Sequence, residues 1–148
     1  MSIVESSGPI HPQPTRRSSY RYLFYNKHHG YDDRASRWTL SQDEEFAVFD
    51  TADFHDLSDD RGWLYGVRPH IGGRIPELGT EGQQLAEFPS ARDNEPWHGY
   101  PLWPLKDKGP ENRRGEKRRP SRDVFQRMED EGLLTPRDRK RLWKGNRG

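Results

Sequence analysis

Ser121-Arg-Asp-Val-Phe-Gln-Arg-Met-Glu-Asp-Glu-Gly-Leu-Leu-Thr-Pro-Arg-Asp-Arg-Lys-Arg-Leu-Trp-Lys-Gly145 is punctuated at both ends of two helices. Ser121 can cap the first helix, whose Val124, Phe125 and Met128 cluster on one face, and Gly132 suits the position just past its end. Thr135-Pro136-Arg137-Asp138 opens the second with an N-cap, a proline at the first helical position and an acid two residues later. That helix runs to about Lys144, with Leu142 and Trp143 apolar and Gly145 beyond; Leu133 and Leu134 can fill the seam. The spacing therefore predicts a helical hairpin over residues 121–145.

Upstream the texture changes. Residues 106–120 form a basic linker containing Gly and Pro. Glu95-Pro-Trp-His-Gly-Tyr-Pro-Leu-Trp-Pro104 holds three prolines, which forbid helix and leave an edge strand or an extended strap over the core. Thr80-Glu81-Gly82-Gln83 has the form of a capping box, predicting a short helix over Glu81–Phe88 that Gly82 weakens. Aromatic and alternating residues predict strands at Tyr20–Tyr25, Glu45–Phe49 and Trp63–Val67. Successive strands with short connections pair as an antiparallel meander. The fold class expected is α+β: a small antiparallel β-meander with a short helix, plus a C-terminal basic helical hairpin. Residues 1–19 show no apolar period and are read as a disordered leader, and residues 20–105 as an acidic, aromatic-rich body.

Composition sets the terms on which that body folds. Of 148 residues only 29% are hydrophobic and 33% are charged, so burial must come from few side chains. Seventeen are aromatic, five of them Trp, and each large ring can remove roughly 150–250 Å² from water. The absence of Cys excludes a disulfide framework, thiolate metal ligands and a cysteine nucleophile. No apolar run reaches the ~18 residues that span a bilayer, and the first residues lack a signal-peptide pattern. The expectation is a cytoplasmic protein without a membrane partner or a cofactor.

The net charge of +1 conceals a division. Tyr20 to Leu105 carries 8 Lys/Arg against 15 Asp/Glu, whereas Lys106 to Gly148 carries 15 against 8. A basic tail on an acidic body points to an anionic partner, or to a tail that folds back on its own body. Arg113, Arg114, Lys117, Arg118, Arg119 and Arg122 form one basic block; Arg137, Arg139, Lys140, Arg141 and Lys144 form another. Several phosphate contacts from these would bind nucleic acid with steep salt dependence and little sequence preference. Glu129-Asp-Glu131 lies between the blocks and can neutralise one of them.

Three function classes follow. The first is a non-enzymatic binding module whose basic hairpin docks on nucleic acid or on an acidic protein. The second is a small metal-independent nuclease, with His98 as acid or base, Arg92 or Arg74 stabilising phosphate charge, and Tyr100 or Glu95 assisting. The third is an inhibitor or immunity-type protein that covers a basic target with the acidic loop Asp50–Asp60. No metal site is expected: His28 and His29 are adjacent and diverge on an extended chain, and the aspartates lack the EF-hand pattern. Phosphate-loop, dinucleotide and nucleophile-elbow motifs are absent from the sequence.

Overall fold

The computed structural model describes residues 10–11, 22–24, 37–80, 82–90, 96–102 and 120–144. Strands β1 (Ile10–His11) and β2 (Tyr22–Leu23) pair antiparallel. Helix α1 (Gln42–Phe54) follows, then β3 (Leu64–Gly66), β4 (Leu85–Phe88) and β5 (Tyr100–Leu102). The chain closes with α2 (Arg122–Asp130) and α3 (Pro136–Trp143). The three later strands form an antiparallel sheet with β4 in the centre. The α+β class and the C-terminal helical pair are therefore present, but the meander is drawn partly from other segments than those expected.

Two expectations are corrected. Glu45–Phe49 is not a strand but the middle of α1. Ser41 Oγ accepts from the Glu44 amide at 3.2 Å while Glu44 Oε1 accepts from the Ser41 amide at 2.9 Å, so a capping box starts the helix. Its buried residues, Glu45, Val48, Phe49, Ala52 and Asp53, recur at a helical period. Two of those five are acids, so the apolar stripe is broken in the sequence and the alternation of Phe46 and Val48 imitates a strand. Conversely, Leu85–Phe88 is not a helix but the central strand. Gly82 takes φ 82°, outside right-handed helix, and turns the chain into the sheet instead. All four residues of β4 are buried, as a strand covered on both faces requires.

The strand expected at Tyr20–Tyr25 is present as Tyr22–Leu23, and that at Trp63–Val67 as Leu64–Gly66. Of the stretch read as a leader, Ile10–His11 pairs with β2; its other residues lie outside the described ones. The proline-rich strap is β5, an edge strand beside β4. It also reaches β2, where the Leu23 amide donates to the Trp97 carbonyl at 2.6 Å.

The core is aromatic. Phe49 of α1 has ring centroids 4.8 Å from Tyr22, 5.4 Å from Phe88 and 5.7 Å from Trp97. Trp38 stacks on Phe88 at 6.2 Å and donates its indole N–H to the Gly99 carbonyl at 3.1 Å. Close approach makes this packing possible. A Cβ on Gly66 would stand 2.7 Å from Val48 Cγ1, and one on Gly99 would strike the Phe88 ring and stand 2.7 Å from the Glu87 carbonyl oxygen. Gly99→Ala therefore forces the edge strand or Phe88 aside. A loss of about 1–3 kcal/mol is expected, read as a lower urea midpoint with an unchanged slope.

The hairpin belongs to the same core. Val124, Phe125, Met128, Leu134 and Leu142 are all buried in the hydrophobic cluster that includes Phe49 and Phe88. Ser121 and Thr135 cap the two helices as expected, and Gly132 at φ 77° ends α2, where the Leu133 amide reaches back to the Met128 carbonyl at 2.8 Å. Polar links bind the hairpin to the body as well. His55 Nδ1 meets Glu131 Oε1 at 2.5 Å and His70 Nε2 meets Asp138 Oδ2 at 2.7 Å. Arg127 donates to the Asp56 carbonyl, and Arg141 donates to Gln84 Oε1 at 2.7 Å. Among the described residues no helix is long and apolar enough to cross a membrane.

Asp138 concentrates several of these duties. It accepts from the Thr135 amide at 3.1 Å as well as from His70, and Thr135 Oγ1 accepts from its own amide at 3.0 Å. Burial pushes its pKa up, but the bonds from His70 and Thr135 outweigh that and hold it below the ordinary 3.8. A carboxylate with a depressed folded pKa stabilises above its unfolded value and loses that contribution as pH falls through the folded one. Asp138→Ala is expected to cost about 1–2 kcal/mol near neutral pH. The gap to the parent protein should narrow as the pH falls below the ordinary 3.8 and through the depressed value of the folded carboxyl, measured by urea unfolding across that range.

Candidate nucleic-acid interface

The residues proposed for nuclease chemistry divide. Arg92 and Glu95 lie outside the described residues. His98 is half-buried between Trp97 and Gly99, and Arg74 closes an exposed turn with Ile71. Tyr100 sits on β5, and its hydroxyl donates to the buried Glu87 carboxylate. The register explains this: Tyr65, Glu87 and Tyr100 stand opposite one another across the sheet, on one face.

That rung extends into a network. The Tyr65 hydroxyl donates to Asp59 Oδ2 at 3.1 Å and accepts from Arg61 Nη2 at 3.0 Å. The Arg61 guanidinium lies 3.8 Å over the Trp63 ring, and its Nη2 also reaches Asp59 Oδ2 at 2.8 Å. Burial, then the charges of Glu87 and Asp59, raise the Tyr65 pKa far above 10.0. Tyr22, whose hydroxyl donates to Glu45 Oε2 at 2.5 Å, is raised for the same two reasons, burial first. Phenols held protonated this firmly are hydrogen-bond donors that satisfy buried carboxylates. They are not proton shuttles at neutral pH.

The stretch expected as an acidic loop, Asp50–Asp60, is in fact helical as far as Phe54, the end of α1, and its described carboxylates are in part occupied. Asp53 is buried on α1 and Asp56 takes the left-handed φ of 51° that ends the helix, with its carboxylate accepting from Ser58 at 3.0 Å. Asp59 accepts from the amides of Arg61 and Trp63 at 2.9 and 3.1 Å. Burial raises the pKa of Asp59, but these amides and the Arg61 guanidinium bring it below 3.8. Among the described residues no three His, Asp or Glu side chains converge as metal ligands.

The hairpin sorts its cations by direction. Arg113, Arg114, Lys117, Arg118 and Arg119 lie outside the described residues. Arg141 faces the body, with Gln84 and, at 3.6 Å, Asp138. Arg139 pairs with Glu129 of α2 at 2.5 Å. Arg137, Lys140 and Lys144 remain: all three are exposed and none has an ion pair among the described residues. Spaced by three and four residues, they make one stripe along the outer side of α3.

Beside this stripe a groove of about 350 Å³ opens between the two helices. Arg122, Asp123, Phe125 and Gln126 line it from α2, Arg139 and Trp143 from α3. The Arg122 guanidinium lies 4.9 Å over the Trp143 ring, whose edge-on contact with Phe125 at 5.9 Å anchors it to the core. From the sequence Trp143 is an apolar position of the second helix, and neither Asp123 nor Gln126 stands out. The helical spacings of Asp123 with Gln126, and of Arg139 with Trp143, were the available signal; the meeting of Arg122 with Trp143 is purely tertiary. Compared with known protein families, curated proteins and solved structures, the chain matches none of them.

Proposed function

We propose that this protein is a non-enzymatic binding module that holds the phosphate backbone of nucleic acid on the outer side of its C-terminal hairpin. The observation that carries the reading is the stripe of Arg137, Lys140 and Lys144, exposed and unpaired among the described residues while the opposite side of α3 is docked on the body. The stripe covers roughly 10 Å of helix. With one phosphate per ~3.4 Å along a strand, that length is commensurate with about three. The basic block at 113–119 joins α2 through the buried Pro120, so its charges are tethered within a few residues of Arg122.

The rival readings have less support. Tyr100 satisfies Glu87, Asp53 is buried, and Asp56 and Asp59 accept within their own loop, so neither the nuclease set nor the acidic surface gains an observation in its favour. An acidic protein remains an alternative occupant of the stripe and is an arm of the test.

Deleting the hairpin is the wrong probe, because its side chains complete the core. Substituting Arg137, Lys140 and Lys144 together by Ala leaves the docked side intact. Anisotropy of a labelled oligonucleotide titrated with the full chain at several salt concentrations should show weaker binding to the triple variant. The slope of log affinity against log salt should fall in magnitude by about 2 for a single strand. Unchanged affinity and slope would refute the reading, and tighter binding of polyglutamate than of nucleic acid would replace it with the acidic-protein one.

A further inference from the structure

The groove beside the stripe has a different chemistry from the stripe. A phosphate site would gather cations alone, yet this groove contains the Asp123 carboxylate, which has no hydrogen bond or ion pair among the described residues. Gln126 donates its amide N–H to Asp130 Oδ1 at 3.0 Å, which leaves its Oε1 as a second acceptor. Arg139, the other cation lining the groove, is already held by Glu129. The polar lining is thus acceptor-rich, and above it Arg122 lies over Trp143 as a planar platform. At about 350 Å³ the space falls at the small end of ligand pockets, roughly 300–1,000 Å³.

We infer that this groove takes one unpaired nucleobase, guanine by preference, from a single strand whose phosphates lie on Arg137, Lys140 and Lys144. The inference rests on the reading of that stripe as a phosphate track. Bases stack readily on aromatic rings and on guanidinium planes, so Trp143 and Arg122 supply an attraction that every base shares. Selection comes from Asp123. The Watson–Crick edge of guanine carries two adjacent N–H donors, which the two oxygens of one carboxylate accept together. Adenine, cytosine and uracil each place an acceptor beside a donor on that edge, and the acceptor would oppose the carboxylate. In a duplex the guanine edge is consumed by pairing, so the same chemistry excludes double strands.

The test uses the full chain and short labelled strands: an oligouridylate, the same strand with one internal guanosine, that strand with inosine instead, and its perfect duplex. Deoxyribose versions, with thymine for uracil, separate DNA from RNA as the source; the guanine preference supports the inference on either sugar. The guanosine strand should bind roughly tenfold tighter than the oligouridylate. Inosine, which lacks the amino group, should lose part of the gain. Asp123→Asn should abolish the preference while keeping the salt slope. Trp143→Ala should weaken all single strands, with Trp143→Phe recovering part of the affinity. Since Trp143 also packs on Phe125, the exposed Asp123 variant decides the matter if Trp143→Ala fails to fold. Equal affinity for guanosine and uridine strands, or equal affinity for the duplex, with the salt slope intact, overturns the base site and leaves the phosphate track standing. Loss of salt-dependent binding altogether overturns both.

Discussion

Phe49 is the ring on which the other layers converge. It touches Tyr22 from the two-stranded pair, Phe88 from the centre of the sheet and Trp97 from the strap. Those three contacts bring together segments 27 to 48 residues away in sequence, and two glycines keep the neighbouring backbone clear of the rings. Gly66 lets α1 settle on β3, and Gly99 lets the edge strand lie against Phe88. A chain with 29% hydrophobic residues cannot rely on aliphatic volume. It uses a few interlocked rings with the aliphatic side chains of the body around them, and the hairpin adds further apolar cover.

That dependence gives the hairpin its character. Because Val124, Phe125, Met128, Leu134 and Leu142 are part of the core, the orientation of α3 is set, and with it the sorting of its cations. Arg127 and Arg141 are turned to backbone and amide oxygens of the body, Arg139 to α2, and Arg137, Lys140 and Lys144 away from both. A free amphipathic helix would present every one of them in turn. Docking converts a basic composition into a directional surface, and an anion bound there need not order the helix first.

The hairpin was legible in the sequence because its signals are local. Ser121, Thr135, Pro136, Asp138 and Gly132 each act within one turn of where they stand, and each is used as expected. α1 and β4 were misread for the opposite reason. The buried stripe of α1 includes Glu45, to which Tyr22, 23 residues earlier, donates a hydrogen bond that offsets the cost of its burial. β4 is a strand because it lies between β3 and β5, a fact that outweighs the capping-box pattern before it. The phosphate stripe was half legible: its residues stood in the sequence as charge, but their separation from Arg127 and Arg141 depends on Asp56 and Gln84, more than fifty residues upstream. The groove was not legible, since Arg122 and Trp143 meet only when the hairpin closes.

The division of charge between body and tail acquires a different meaning in this structure. Part of the acidity of the body is turned inward: Glu45, Asp53 and Glu87 are buried, and Asp59 is bound to Arg61 and Tyr65. Part of the basicity of the hairpin is consumed in the same way, by Glu129 and Asp138. What reaches solvent on the outer side of α3 is therefore not the average of the chain but a local excess of positive charge, set beside a groove that holds one carboxylate. A uniformly basic surface would hold any polyanion equally. A cationic track with an acceptor at its edge distinguishes among them, because a strand that follows the track must also place something other than phosphate against Asp123.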